Sequence, residues 1–300
     1  MTTHAMSPHH KASLPDAPFR TFRDSNAVYT GSEVIVTSNE SARPPAALPT
    51  HASVMEALHG ESIWSRSQEL HSFLQLAGIR GQRAWSPSPS PAFIDAIIQR
   101  LRPQFVIEIG TFLGATSIML AQALDALHGA DDRRSLVLSI DTWLGDAYMW
   151  SSKSERYKSL LKVQLGKPLL YYQFLSNVRW ANVTHRIVPL PLSTNEAARV
   201  LDFCRWRPDL VYIDASHDAI DVLTDLEHYY YLLQCNGTLF GDDFHWPGVR
   251  SAVTHFAQRR QLDLQVFEIH RAHPAGVRVP PTKARGNTKW VLQPKTCRVL

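Results

Sequence analysis

Apolar positions recur along the chain in two rhythms. From Val54 to Leu76 they fall at helical spacing (Val54, Leu58, then Leu70, Phe73 and Leu74), which predicts one or two leader helices. The Ser-Pro run from Ser86 to Pro91 punctuates the chain. Ser90 as N-cap, with Pro91 at the first helical position, predicts a helix carrying Phe93, Ile94, Ile97, Ile98 and Leu101 on one face, stopped by Pro103. Beyond it, short apolar runs alternate with amphipathic ones. Strands are predicted at Phe105 to Ile109, Leu136 to Ile140, Arg186 to Leu190, Leu210 to Ile213 and Thr238 to Phe240. Helices are predicted over Thr116 to Leu127, from the capping-box spacing of Ser193 and Glu196 through Phe203, and along the stripe Ile220, Leu223, Leu226, Tyr230 and Leu233. Strands apolar on both faces that alternate with helices predict an α/β fold, a doubly wound and mostly parallel sheet covered on both sides.

Past Val249 the rhythm changes. One helix (Val249, Val253, Phe256) is followed by two strands, Leu264 to Ile269 and Lys289 to Leu292, which predict a terminal antiparallel hairpin. Residues 1–50 are rich in His, Ser, Pro and Ala, with an extended-looking stretch at Val34 to Val36, and are expected to form a flexible arm. The expected organisation is thus an arm over 1–50, leader helices over 51–90 and one main domain over 91–300.

Composition narrows the class only slightly. In 300 residues no apolar run approaches the roughly 18 that a membrane span requires, so a soluble, cytoplasmic protein is expected. Cys204, Cys235 and Cys297 stand in unrelated contexts, which suggests ordinary thiols rather than a disulfide framework or a zinc site. The net charge of +4 gathers toward the carboxyl end, but a weak positive total is a poor sign of nucleic-acid binding.

The chemistry concentrates at strand ends. Val106 to Thr116 reads as an apolar strand ending in an acid, then a turn bearing Gly110 and Gly114 that leads into a helix. In an open parallel sheet such a turn lets backbone approach a ligand and presents unpaired helix N–H groups. Phe112 occupies the middle position of the dinucleotide fingerprint, which disfavours a nicotinamide enzyme. Asp141 ends the second strand, where an acid can accept from both hydroxyls of a ribose; a turn residue or helix cap is the plainer role. Asp214 closes the fourth strand, and Asp242 with Asp243 closes the fifth, so three carboxylates should converge. With no Lys or Arg beside them in sequence, that convergence calls for a proton or a cation, unless these acids only cap loops. An all-oxygen donor set favours Mg2+, Mn2+ or Ca2+ over zinc. His217 stands at the mouth of the site, either as a general base for a hydroxyl or as a helix-end hydrogen-bonding residue; His245 is a lesser candidate.

Four segments together, Glu108-Ile-Gly-Thr-Phe-Leu-Gly114, Asp141-Thr-Trp-Leu-Gly-Asp146, Tyr212-Ile-Asp-Ala-Ser-His217 and Leu239-Phe-Gly-Asp-Asp-Phe244, resemble the class I S-adenosylmethionine-dependent methyltransferases of the small-molecule, metal-dependent O-methyltransferase type. The resemblance runs from about Phe93 to Leu292. It implies a seven-stranded Rossmann-like sheet with S-adenosylmethionine as cofactor: Glu108, Gly110 and Gly114 at its methionine part, Asp141 at its ribose and Ser193 near its adenine. It further implies a divalent cation, Mg2+ first, on Asp214, Asp242 and Asp243, with His217 and Asp214 catalytic toward a hydroxyl of a sugar, phenol or polyketide. The connection from Trp143 to Val178, rich in Tyr148, Trp150, Tyr157, Tyr171, Tyr172 and Phe174, is expected to act as a lid contributing about a third of these aromatics to the acceptor pocket. The leader segments offer a surface on which two copies could pair as a homodimer. The competing readings are an RNA ribose or protein methyltransferase, or a non-catalytic scaffold of the same fold. The strand end Ile213-Asp-Ala-Ser departs from the Asn-Pro-Pro-aromatic segment of enzymes that methylate base amines.

Overall fold

A computed structural model describes residues 28–30, 33–35, 48–82, 91–164, 167–269 and 287–293. The chain divides into two compact units, Met1–Pro45 and Ala46–Leu300. In the first, β1 (Val28–Thr30) and β2 (Glu33–Ile35) pair antiparallel. The rest of the expected arm up to residue 47, and Ser90 as a cap, lie outside the described residues.

The second unit opens with α1 (His51–His59) and α2 (Ser67–Leu76). Thr50 and Ser53 close a capping box at the start of α1, and Gly60 ends it in the left-handed region. Then α3 (Pro91–Leu101), β3 (Phe105–Ile109), α4 (Ala115–His128) and β4 (Leu136–Ile140) follow at the positions read from the apolar rhythm. A long connection holds α5 (Ala147–Ser151), α6 (Glu155–Leu161), the small antiparallel pair β5 (Val163–Gln164) and β6 (Lys167–Pro168), and α7 (Leu169–Trp180). After it come β7 (Ile187–Leu190), α8 (Thr194–Phe203), β8 (Leu210–Ile213), α9 (Ala219–Leu232), β9 (Thr238–Gly241), α10 (Pro247–Arg260), β10 (Asp263–Ile269) and β11 (Asn287–Gln293).

The main sheet has seven strands in the order β10-β11-β9-β8-β3-β4-β7. β7, β4, β3, β8 and β9 run parallel, while β11 lies antiparallel to both β9 and β10, so the expected terminal hairpin is present. All residues of β3, β4, β7, β8 and β9 are buried, which explains why their sequences do not alternate. From β3 the chain builds outward through β4 to β7, then returns to the other side for β8 and β9. The strand order therefore reverses between β3 and β8, the place where open α/β sheets hold ligands.

The leader segment docks on the sheet edge of its own chain. Trp64 Nε1 donates to the Ile187 carbonyl at 2.9 Å and His59 Nε2 to the Pro189 carbonyl at 2.8 Å, with His51 Nε2 also 3.3 Å from Ile187 O. Val54 and Met55 of α1 are buried. No helix among the described residues is long and apolar enough to cross a membrane. Cys204 is a free thiol, whereas Cys235 is disulfide-bonded, which corrects the expectation of ordinary thiols throughout.

Candidate active site

The turn from β3 into α4 is clamped from three sides. Gly110 (φ 84°), Phe112 (φ 51°) and Gly114 (φ 83°) all take left-handed conformations. A Cβ on Gly110 would lie 2.0 Å from the Asp214 carbonyl oxygen, and one on Gly114 would lie 2.7 Å from the Phe174 ring, so both positions require glycine. Asp141, at the end of β4, accepts from the Phe112 amide at 2.8 Å and from the Trp143 amide at 2.7 Å. The buried Trp143 indole donates to the Phe112 carbonyl at 2.9 Å, and Asn177 of α7 donates to the Leu113 carbonyl at 3.0 Å. Burial pushes the Asp141 carboxyl up, against the two amides that favour its ionised form.

Glu108 lies inward of this turn, 1% exposed, and accepts a hydrogen bond from Ser117, which also contacts Ser139 at 2.7 Å. Burial holds its carboxyl well above the usual carboxylate range. Its carboxyl therefore braces the β3–α4 junction from within. Ser193 is the N-cap of α8, its hydroxyl accepting from the Glu196 amide at 3.3 Å.

Across the reversal point lie the acids of β8 and β9. Asp214 is half-buried, with the Tyr212 hydroxyl donating to its Oδ2 at 3.3 Å. Burial first, then the neighbouring carboxylates of Asp242 and Asp243, push its carboxyl up to about 7. Asp243 (φ 58°) meets His217 with Oδ2 2.7 Å from Nε2, and His245 Nδ1 lies 3.8 Å from its Oδ1. The His217 ring stacks on Trp246 with centroids 4.7 Å apart and planes 8° from parallel. The hydrogen bond to Asp243 raises the imidazole's pKa, against a smaller lowering by burial.

One oxygen each of Asp214 and Asp243 and one ring nitrogen of His217 lie within 4.8 Å of one another. A cavity of about 10 Å³ sits among Asp214, Ser216, His217, Asp242, Asp243 and Trp290, the room of a single water-sized occupant. Asp242, expected as the third ligand, borders this cavity, but its carboxylate is engaged by other groups. It is 3% exposed and ion-paired with Lys289 of β11, while its Oδ1 accepts from the Asp243 amide at 2.6 Å. Both carboxylate oxygens thus have partners in the protein, and His217 completes the group in its place.

The connection expected as a lid divides. In α7, Phe174 is buried against Trp143 (4.7 Å between centroids), Tyr171 also packs on Trp143 (5.1 Å), and Tyr172 meets Phe73 of α2 (4.5 Å). Tyr148 and Trp150 of α5 are exposed, next to the helix cap Asp146, whose charge contributes to the raised pKa of His217. The sequence pattern gives Trp143 and Lys289 only as ends of a connection and of a strand, and gives Asn177 and Trp246 no role.

Residues 107–244 match a family model described as a methyltransferase domain. The match spans β3 to β9, the parallel core of the sheet on both sides of the reversal point. No curated protein matches the sequence. Among solved structures, the chain is similar to an O-methyltransferase from Bacillus cereus in complex with SAH: 15% identity, 81% of this chain and 96% of that one covered, TM-score 0.46. It is likewise similar to the O-methyltransferase TomG from Streptomyces achromogenes in complex with SAM: 16% identity, 81% and 95% covered, TM-score 0.47.

Proposed function

We propose that the protein transfers a methyl group from S-adenosylmethionine to a hydroxyl of a small molecule. The single observation that carries this reading is the meeting of Asp214, His217 and Asp243 at the reversal point, with Asp214 touching the backbone of the glycine turn. The cofactor supplies an electrophilic methyl on a sulfonium, so the chain has to align the acceptor, exclude water and take a proton. The clamped turn and Asp141 form the cofactor side, with the free lone pairs of Asp141 turned to the ribose hydroxyls and Gly110 and Gly114 at the methionine part. Glu108 supports that side from beneath, and Ser193 borders the adenine while capping α8. On the other side Asp243 fixes His217 by its Nε2, which leaves Nδ1 to accept the proton of the acceptor hydroxyl. An open depression of about 480 Å³ begins at His245 and runs along Arg250 and His255, and it offers the acceptor a place beside the cluster.

The same three side chains fit a divalent cation by donor chemistry and by the room between them. Two carboxylates and an imidazole suit Mn2+, Fe2+ or Zn2+ better than the Mg2+ favoured by an all-oxygen set. When bound, such an ion lowers the pKa of the acceptor hydroxyl. A ring nitrogen of His217 given to an ion is unavailable as a base, so the two uses of the cluster are alternatives. The test is S-adenosylhomocysteine formation with a panel of phenols, sugars and polyketide alcohols, with and without excess chelator. Turnover lost to chelator and restored by Mn2+ assigns deprotonation to the cation, and turnover indifferent to chelator assigns it to His217. Absence of both cofactor binding and turnover would leave the chain a scaffold of this fold. Turnover on RNA alone would move the acceptor class to ribose.

A further inference from the structure

Among the described residues two cationic side chains are fully buried, Arg186 and Lys289. Arg186 is occupied in an ordinary structural way: it donates to Asp125 (2.7 Å), to the Gly129 carbonyl (2.6 Å) and to the Ser135 carbonyl (2.9 Å), tying β7 to the α4–β4 connection. Lys289 differs. Its ammonium pairs with Asp242, and the charges it feels beyond that pair are those of Asp214 and Asp243.

The position follows from strand register. Trp290 pairs with Gly241 and Val291 with Phe240 in the antiparallel β11–β9 ladder, so the next step of that register sets Lys289 opposite Asp242. The Trp290 indole donates to the Asp242 carbonyl at 2.9 Å, and the Phe244 amide donates to the Thr288 carbonyl at 3.1 Å, holding the pair from both sides. From Asp242 the effect passes on. Its Oδ1 accepts the Asp243 amide at 2.6 Å, and Asp243 in turn takes the left-handed backbone that brings its carboxylate to His217.

We propose that Lys289 is a positioning residue, a built-in counter-cation that withholds Asp242 from the site and leaves a group of two carboxylates and one imidazole. This rests on the divalent-cation reading above. A lysine anchored beside the third carboxylate lowers the negative charge presented to an ion by one unit. It thereby weakens binding of hard, oxygen-seeking ions such as Mg2+ and favours ions that accept nitrogen ligands. Lys289 is thus a determinant of cation choice located 45 residues past the end of the segment that matches the methyltransferase family.

The experiment is a calorimetric titration of the full chain with Mn2+ alone and with Mg2+ alone. It compares the wild type with Lys289→Met, Asp242→Asn and the double variant, each checked for folding by circular dichroism. Removing the lysine should tighten Mn2+ binding at least about tenfold and Mg2+ binding by more, because a buried carboxylate now faces the ion uncompensated. Removing the aspartate alone should weaken Mn2+ binding by at least about tenfold, since an unpaired ammonium then faces the ion. The double variant, whose net charge equals that of the wild type, should return to within about threefold of it. A merely structural lysine could weaken binding when removed but could not strengthen it. Folded Lys289→Met that binds Mn2+ no more tightly than wild type overturns the proposal while leaving the cation reading in place. Should Lys289→Met fold poorly, failure of the double variant to return toward the wild-type affinity overturns it as well. If the wild type binds no ion, the cation reading fails and the proposal falls with it, even where Lys289→Met binds one. If none of the four binds Mn2+, both fall.

Discussion

The two halves of the crevice are built on opposite principles. On the β3–β4 side, the carboxylate and carbonyls nearest the crevice already have partners: Asp141 holds two amides, Trp143 and Asn177 hold two carbonyls of the turn, and Glu108 is sealed against Ser117. On the β8–β9 side, Asp214, His217 and Asp243 are part-exposed and keep unused hydrogen-bonding capacity, while the charge is balanced from behind by Lys289. On the proposed reading, a half that receives an unchanging cofactor can be fixed in advance by the protein's own hydrogen bonds. A half that must move a proton keeps groups whose charge state can change.

The largest test of that contrast is Asp243→Ala. It removes the partner of His217 and a ligand oxygen together, and methyl transfer should fall by about a thousandfold while S-adenosylmethionine affinity changes less than about threefold. Steady-state turnover alongside calorimetric cofactor binding reads both, and a parallel loss of cofactor affinity would erase the division between the halves. Gly110→Ala strikes the joint between them. A Cβ placed 2.0 Å from the Asp214 carbonyl, at a φ of 84°, should cost about 3 kcal/mol or more by chemical denaturation and impair both cofactor binding and turnover. Asp141→Ala leaves two amide donors without their acceptor. It should lower stability by about 1–3 kcal/mol and weaken cofactor binding about tenfold, with a smaller effect on turnover at saturating cofactor.

A buried acid outside the crevice calibrates the pH behaviour. Burial pushes Asp225 of α9 from 3.8 up to about 7, against a hydrogen bond from Thr194. A carboxyl whose pKa is raised by folding stabilises the native state when protonated, and that stability is lost as pH climbs through the folded pKa. Asp225→Asn should therefore gain thermal stability relative to wild type between about pH 4 and pH 7, from the ordinary value of 3.8 to the folded one. Melting curves that stay parallel across this range would contradict the assignment. The smallest effect belongs to Ser193→Ala, where loss of the cap should cost about 1 kcal/mol. A cofactor affinity that also falls would add the adenine contact to the cap.

Much of the fold could be read from the chain because buried parallel strands show as unbroken apolar runs. Phe105–Ile109, Leu136–Ile140 and Leu210–Ile213 match the expected strands residue for residue, and the other elements expected outside the long connection differ by a few positions at their ends. The long connection was harder. Its aromatics serve two surfaces at once, α7 turning Phe174 and Tyr171 onto Trp143 while α5 leaves Tyr148 and Trp150 exposed, and aromatic spacing alone does not separate the two. In the candidate site, Asp214 and Asp243 stand just past the ends of β8 and β9, where the apolar runs stop, and His217 follows β8 by four residues. Asp242 misled because its neutralising partner is 47 residues away in sequence and adjacent only through the β11–β9 register. Charge compensation across a sheet leaves no local mark.

The docking of His59 and Trp64 on β7 reaches beyond the leader itself. A terminal strand ordinarily offers a row of bare carbonyls and amides that a strand from another molecule can copy onto, but here the carbonyls of Ile187 and Pro189 are taken and Pro189 has no amide to give. The sheet is stoppered at that margin. Lengthening by a foreign strand is left to the far margin at β10, where Val266 and Phe267 are open to solvent, so cutting back the leader should convert a one-ended template into a two-ended one.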